Sequence, residues 1–377
     1  MRPLQEIKIK GFASLREVSL TLDTPVTVLI GANGAGKSNV VRSLELLGEL
    51  VDRNLQNYVV RRGGISRMVH HGAGGATSRQ IELEVHGTPN DDGVWNGYMA
   101  RLSAGEDDEV VLDETLLMQD TTKFQRPLER PLGLTRESRL RKVTGESAPM
   151  AFYVQDVLAS CRVYHFDDVS QDAPPKQRSN LADNLELRRD AANLAAYLHR
   201  LEQEDPETYQ RMVAAVRSVA PFFEDFVLQP DGAAADTILL RWRQKGCDEV
   251  FSAGQLSDGT LRFICLTTLL LSPHRPATVV LDEPELGLHP FAIRQLAELV
   301  NSCAGSGRRV ILATQSVSLL EEFSLDTVAV VERAAGETRL NRPDAESLGE
   351  FLEDYSLGEL WRMNLLGGRP THEAVIS

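Results

Sequence analysis

The 377-residue chain has few cysteines, few aromatic residues and no long apolar run. Its four cysteines, Cys161, Cys247, Cys265 and Cys303, lie far apart with no C-x-x-C pair. That spacing indicates neither a disulfide framework nor a zinc site and leaves them as small buried apolar residues. The most apolar stretch, Leu261 to Leu271, is broken by Arg262, Thr267 and Thr268, short of the roughly eighteen residues that cross a bilayer. Met1 to Lys10 alternates charged and apolar residues and lacks the apolar region and cleavage site of a signal peptide. A cytoplasmic protein with no membrane contact is expected.

Positive charge is also scarce: 40 Lys and Arg stand against 54 Asp and Glu, a formal net charge of −14. Proteins that grip phosphate backbones non-specifically usually carry a basic face, so any contact with DNA must be local. One segment fits. Asp120 to Lys142 carries Lys123, Arg126, Arg130, Arg136, Arg139, Arg141 and Lys142 against Asp120, Glu129 and Glu137. A solvated surface loop accounts for it without a ligand, and a nucleic-acid or partner contact is the alternative.

The remaining composition, 42% hydrophobic and 25% charged, is that of a folded soluble chain. Alternation over Ile7–Lys10 and Val18–Leu22, then the apolar run Val26–Ile30, predicts strands, the last one buried. A glycine-rich turn follows, and Asn39 to Val51 places Val40, Val41, Leu44, Leu47 and Leu50 at helical spacing. Ile81–Val85 and Arg162–Phe166 read as further strands. The polar loop from Asp167 to Ser179 is the expected boundary of a second lobe. There Leu194, Tyr197, Leu198 and Leu201 share a helical face, and Asp205-Pro206 offers an N-cap with proline at the first helical position. Phe226–Leu228 and Ile238–Trp242 are strand-like, and Leu256 opens a helix. From Ala277 the pattern is strand, helix, strand, helix, as in a parallel sheet.

Gly31 to Ser38, GANGAGKS, fits G-x-x-x-x-G-K-S and sits between a buried strand and a helix, the context a phosphate loop needs. Its glycines let backbone N–H groups face phosphates, Lys37 supplies charge to the β and γ phosphates, and Ser38 offers a hydroxyl to Mg²⁺. Thr278 to Glu283 is an apolar strand ending in two carboxylates. Asp282 can hold the magnesium, and Glu283 is placed to activate a water. Leu256-Ser257-Asp258-Gly259-Thr260 begins an apolar helix, where free N–H groups attract an anion, although Ser257 is also a plain N-cap.

These elements, with Pro284-Glu285-Leu286-Gly287-Leu288-His289-Pro290 after the acidic pair, resemble the ABC-type ATPases of the SMC and RecF group. The opening Ile9-Lys10-Gly11-Phe12-Ala13-Ser14-Leu15 looks like RecF in particular. The strand Tyr164-His165-Phe166, the helix at Asn193-Leu194-Ala195 and the end from Leu352 to Pro370 extend the likeness over nearly the whole chain. The resemblance implies an α/β P-loop NTPase with a mixed-sheet nucleotide lobe and an inserted helical signature lobe. Residues 1–170 and 276–377 would form the first and residues 171–275 the second.

It further implies ATP and Mg²⁺, with Asn33, Gly34, Gly36, Lys37, Ser38, Asn39 and Asp282 at the nucleotide. Ser257 and Gly259 would complete the site of a second head in a homodimer. Glu283 and Gln315 would be catalytic, Gln315 standing in Thr314-Gln315-Ser316 where transporters usually carry histidine. Arg61 or Arg62 would match an arginine that helps nucleotide engagement, Gln171 is a candidate for the Q-loop, and His289 is expected to be structural or at the dimer contact. A switch in DNA repair, genome maintenance or phage defence is the expected function, acting on DNA or on an effector such as a nuclease. Asn39 to Gln255 leaves no room for a long coiled coil. The residues after Val328–Glu332 lack a clustered acidic metal site, so a chain that is itself a nuclease is not expected. The apolar residues Leu348, Phe351, Leu352, Tyr355, Leu357, Leu360 and Trp361 are expected to pack on their own head, or else to dock a partner.

Overall fold

A computed structural model describes residues 3–72, 77–230, 236–305 and 308–368. β1 (Leu4–Phe12) and β2 (Leu15–Thr21) pair antiparallel, and β3 (Val26–Ile30), buried at every residue, runs into the glycine-rich loop and α1 (Lys37–Val51). α2 (Leu55–Arg61) follows. Four strands, β4 (Gln80–Gly87), β5 (Val94–Ala104), β6 (Val110–Asp120) and β7 (Leu128–Thr135), complete an antiparallel sheet ordered β2-β1-β4-β5-β6-β7. α3 (Ala148–Ala159) leads to β8 (Cys161–Tyr164).

The middle of the chain contributes β9 (Ser179–Asn180), α4 (Leu194–Glu204), α5 (Pro206–Val219), β10 (Phe223–Phe226), β11 (Thr237–Ile238), β12 (Arg241–Gln244), β13 (Val250–Ser252) and α6 (Asp258–Leu271). Asp205 caps α5 by accepting from Thr208 N, as its position before Pro206 predicts. The chain ends its described part with β14 (Thr278–Asp282), α7 (Pro290–Ala304), β15 (Arg309–Thr314), α8 (Val317–Leu320), β16 (Val328–Ala334), β17 (Glu337–Asn341), α9 (Ala345–Asp354) and α10 (Leu357–Arg362).

The second large sheet is ordered β17-β16-β3-β15-β14-β8 and is parallel except for β17. It is covered on both faces, and the two-residue period of a strand divides its side chains between two cores. Val26, Val28 and Ile30, with Val279, Leu281, Val310 and Leu312, join a cluster with α4–α7. Leu29, Val280, Ile311 and Ala313 join a cluster with α1, α3 and the antiparallel sheet.

Four details depart from the sequence reading. The basic segment is not one solvated loop, because residues 128–135 form the edge strand β7 against β6. The expected strand at Phe226–Leu228 lies earlier, at Phe223–Phe226, and Ile238–Trp242 divides between β11 on β9 and β12 on β10. The middle of the chain therefore carries a three-stranded sheet, β10-β12-β13, beside its helices. The strand expected to reach Phe166 ends at Tyr164. Leu348, Leu360 and Trp361 pack into their own head, while Phe351 and Tyr355 are exposed. Pro370 lies outside the described residues. Among those residues no helix is long and apolar enough to cross a membrane.

Candidate functional site

The loop after β3 is shaped by backbone requirements. Gly34 and Gly36 take φ of 77° and 109°, a region that side chains resist, and a Cβ on Gly31 would strike the carbonyl of Val331. Inside the curl, Lys37 is 5% exposed and its Nζ donates to Gly31 O at 2.8 Å and Ala32 O at 3.2 Å. Burial lowers the Lys37 ammonium, opposed by the charges of Glu283, Asp282 and Glu285. Asn33 and Gly34 stand exposed at the tip. Asn39 is engaged elsewhere, donating to Ser14 Oγ at 2.8 Å and so fastening α1 to the β1–β2 turn.

Strand order places β15 between β3 and β14, so the phosphate loop, the turn after β15 and the acidic pair emerge at one end of the sheet. Burial raises the Asp282 carboxyl, while a hydrogen bond with Ser38 and the charges of His165, Lys37 and Arg42 oppose it. Its Oδ1 is buried with no partner. An orphaned carboxylate oxygen beside a serine hydroxyl is a hard oxygen pair, which fits a magnesium ion. Glu283 has φ of 46°, a strained value for a side-chain-bearing residue, and its N–H donates to Ala313 O at 2.7 Å.

Gln315 is half-buried on the turn after β15. Beneath that turn lies Glu285, 6% exposed, which accepts a hydrogen bond from Thr314 Oγ1; Thr314 Oγ1 in turn accepts from Ser316 N at 2.9 Å.

The signature turn stands apart. Ser257 is exposed and caps α6, its Oγ accepting from Thr260 N at 3.2 Å, and it makes no hydrogen bond to residues 31–39 among the described residues. Gly259 is fixed by its own chain, since a Cβ there would collide with the Gly287 carbonyl. One turn on, Arg262 is 8% exposed and donates from Nε to Phe166 O at 2.9 Å, from Nη2 to Asp167 O at 3.2 Å, and from Nη1 to Leu286 O.

Other expected residues fall as follows. His289 caps α7, accepting from Phe291 N at 3.3 Å, which matches the structural reading. Arg62 pairs with Glu45 at 3.0 Å and lies over the Tyr58 ring, whereas Arg61 is exposed on a cleft of about 770 Å³ that His165 also lines. Gln171 is exposed on the loop after β8. Instead, His165 stands one residue beyond the paired Tyr164 and Leu281, level with Asp282. The Glu45 carboxylate, 3.7 Å away, raises the His165 imidazole against the effect of burial.

Sequence reading missed Arg262, Glu285 and His165 as site residues. A lone arginine inside the apolar run Leu261–Leu271 was the available signal for the first. The other two carry no local pattern.

A phosphate loop facing carboxylates two strands away, with a switch strand between and a separate signature helix, defines a P-loop ATPase of the ABC head type. Residues 26–321 match the family described as "AAA domain, putative AbiEii toxin, Type IV TA system", and the chain belongs to that family. It is 24% identical over 344 residues to the OLD nuclease of Thermus scotoductus, covering 88% of this chain and 62% of the relative. It is 34% identical over 87 residues to the DNA replication and repair protein RecF of Acidothermus cellulolyticus, covering 23% of this chain and 24% of that protein. The chain thus spans less than two thirds of either relative. Its fold is like that of the SmcHead solved bound to the C-winged helix domain of ScpA, with a TM-score of 0.57 over 92% of this chain and 99% of that one at 14% identity. The fold is that of a RecF/SMC-like ABC-type ATPase.

Proposed function

We propose that the chain binds and hydrolyses ATP, that two heads close on the nucleotide as a homodimer, and that this closure is a switch in DNA repair, genome maintenance or phage defence. A separation within the head carries this reading. Lys37, Asp282 and Glu283 gather at one end of the mixed sheet, whereas Ser257 stands exposed at the start of α6, unbonded to its own phosphate loop. A helix N-terminus attracts phosphate, and a second head is what would bring one to it.

In this scheme residues 1–170 and 276–377 form the nucleotide lobe and 171–275 the signature lobe. Backbone N–H groups of Asn33, Gly34 and Gly36 wrap the phosphates, and Lys37 neutralises them. Asn39 steadies α1 behind the loop. Ser38 and Asp282 would hold Mg²⁺, which supplies charge neutralisation at the phosphate oxygens. Glu283 takes the proton of the attacking water. Gln315 hydrogen-bonds the γ-phosphate or the water, but an amide carries no positive charge, so turnover is slow. Ser257 and Gly259 close over the nucleotide of the other head.

The likeness to OLD nuclease over most of the chain favours a second reading, an ATPase that regulates a separate effector such as a nuclease without touching DNA itself.

The shared site is tested by mixing two inactive variants, Lys37→Ala and Ser257→Arg. In a mixed dimer one site carries both lesions and the other carries neither, so mixing restores part of the ATPase rate. Full activity from a chain that stays monomeric with ATP rejects the scheme.

A further inference from the structure

Two carboxyl side chains follow Asp282 in the same short turn, and their surroundings differ. Glu283 is half-buried on a left-handed backbone, whereas Glu285 is 6% exposed. One Glu285 oxygen, Oε1, accepts from the Thr314 hydroxyl, and the other, Oε2, is buried with no partner.

The hydroxyl of Thr314 gives its one proton to Glu285 and accepts from Ser316 N at 2.9 Å. Its rotor is therefore fixed, and the backbone on both sides of Gln315 is fixed with it. Ser316 extends the chain of bonds by capping α8, accepting from Leu319 N at 3.2 Å. On the other side, Glu283 N donates to Ala313 O at 2.7 Å. The acidic turn and the switch turn are thus laced together twice, once through the backbone and once through Glu285. Burial raises the Glu285 carboxyl, opposed by the Thr314 bond, and the Glu283 charge adds to the rise. A side chain in that setting serves through its hydrogen bonds rather than through its charge.

We propose that Glu285 is a positioning residue of the hydrolytic site: Oε1 holds Thr314 and thereby sets the turn that carries Gln315. The inference rests on the reading of Glu283 as the base, and it separates the two acids by chemistry. A base tolerates no amide. A hydrogen-bond acceptor does, because the Gln carbonyl oxygen can still take the Thr314 proton.

The experiment uses the full chain, with ATP affinity from calorimetry and hydrolysis from single-turnover rates. Glu283→Gln, Glu285→Gln, Glu285→Ala, Thr314→Ser, Thr314→Val and the double Glu285→Ala/Thr314→Val are compared. Glu285→Gln and Thr314→Ser are expected to stay within about threefold of the parent rate. Glu285→Ala and Thr314→Val are expected to lose about tenfold or more in rate with ATP affinity changed less than about threefold. The double variant loses no more than the worse single, the mark of two residues acting through one bond. Glu285→Gln as inactive as Glu283→Gln overturns the proposal, as do multiplicative losses in the double variant or losses confined to affinity. An active Glu283→Gln sinks the reading of Glu283 as base, and Glu285 is still judged by its own Gln and Ala variants.

Discussion

Arg262 on the second turn of α6 is bonded to the carbonyl of Leu286, three residues beyond Glu283, and so ties the start of α6 to the acidic turn. The same guanidinium holds the carbonyls of Phe166 and Asp167 in the loop after β8. No single sequence motif contains this bridge.

Replacing Arg262 by methionine leaves three carbonyls, those of Phe166, Asp167 and Leu286, without their charged donor. Hydrogen bonds to charged groups are each worth about 1.5–3 kcal/mol, but water can replace the donor at the exposed Asp167 and Leu286, so a loss of about 1.5–3 kcal/mol in all is expected. Urea unfolding measures it. Arg262→Lys, with one nitrogen in place of a planar fork, recovers only part of that loss.

Lys37→Ala abolishes ATP binding, because it removes the one phosphate-loop side chain that neutralises the β and γ phosphates. Its bonds to Gly31 and Ala32 are replaceable by water, so the fold survives. Calorimetry reads the affinity and thermal unfolding the fold; unchanged ATP affinity would sink the assignment.

Around β7 the basic residues are not equivalent. Lys123 pairs with Asp120 at 2.7 Å, Arg136 pairs with Glu109 at 2.6 Å, and Arg139 donates to Leu132 O at 3.1 Å. Glu137 is spent on α2, accepting from Leu55 N and Gln56 N. Arg126, Arg130, Arg141 and Lys142 are exposed and make no ion pair among the described residues. If this edge binds DNA, replacing those four with alanine weakens binding uniformly across sequences. It also reduces the log–log salt slope by up to about 0.9 for each phosphate that is no longer neutralised. Binding that ignores salt, or that survives the fourfold variant unchanged, returns the edge to plain surface.

Acid sensitivity should centre on Glu84 in β4. The hydrogen bond with His86, 2.8 Å away, and then that from Lys8, at 3.1 Å, hold its carboxyl down from 4.5 to about 2 despite partial burial. A carboxyl depressed by folding stabilises the protein above its unfolded value, and that contribution drains away as pH falls from 4.5 towards 2. It amounts to at most about 3 kcal/mol. Glu84→Gln should flatten the fall in unfolding free energy across that window; an unchanged pH profile refutes the assignment.

Much of the mixed sheet and its first loop was legible because the signals are local. Val26–Ile30, the glycine loop and α1 are contiguous, and Thr278–Glu283 is one apolar strand with its acids attached. The start of α6 was legible for the same reason. What escaped depends on residues distant in sequence. β7 reads as a loop because five of its eight residues are exposed, as an edge strand allows; only its pairing with β6 makes it a strand. Ile238–Trp242 looks like one strand and becomes two because its halves find different partners, β9 and β10. His165 acquires its place from the register of β8 on β14, and Glu285 from Thr314, neither of which periodicity can reveal.

The phosphate loop is held by parts of the chain made much later. β3 pairs on one side with β15 and on the other with β16, and the loop itself is pinned by Thr338, whose hydroxyl donates to Ala35 O at 2.8 Å and meets Ser14 Oγ at 2.6 Å across 324 positions. During synthesis, β3 therefore emerges long before any of its neighbours. At a rate of about 5–20 residues per second it waits tens of seconds with an apolar edge uncovered, a window in which chaperones compete with aggregation. Such long-range pairing also makes refolding slow. The frame of the phosphate loop is thus completed late, and an interrupted chain lacking β15 to β17 holds the loop sequence without the strands that shape it.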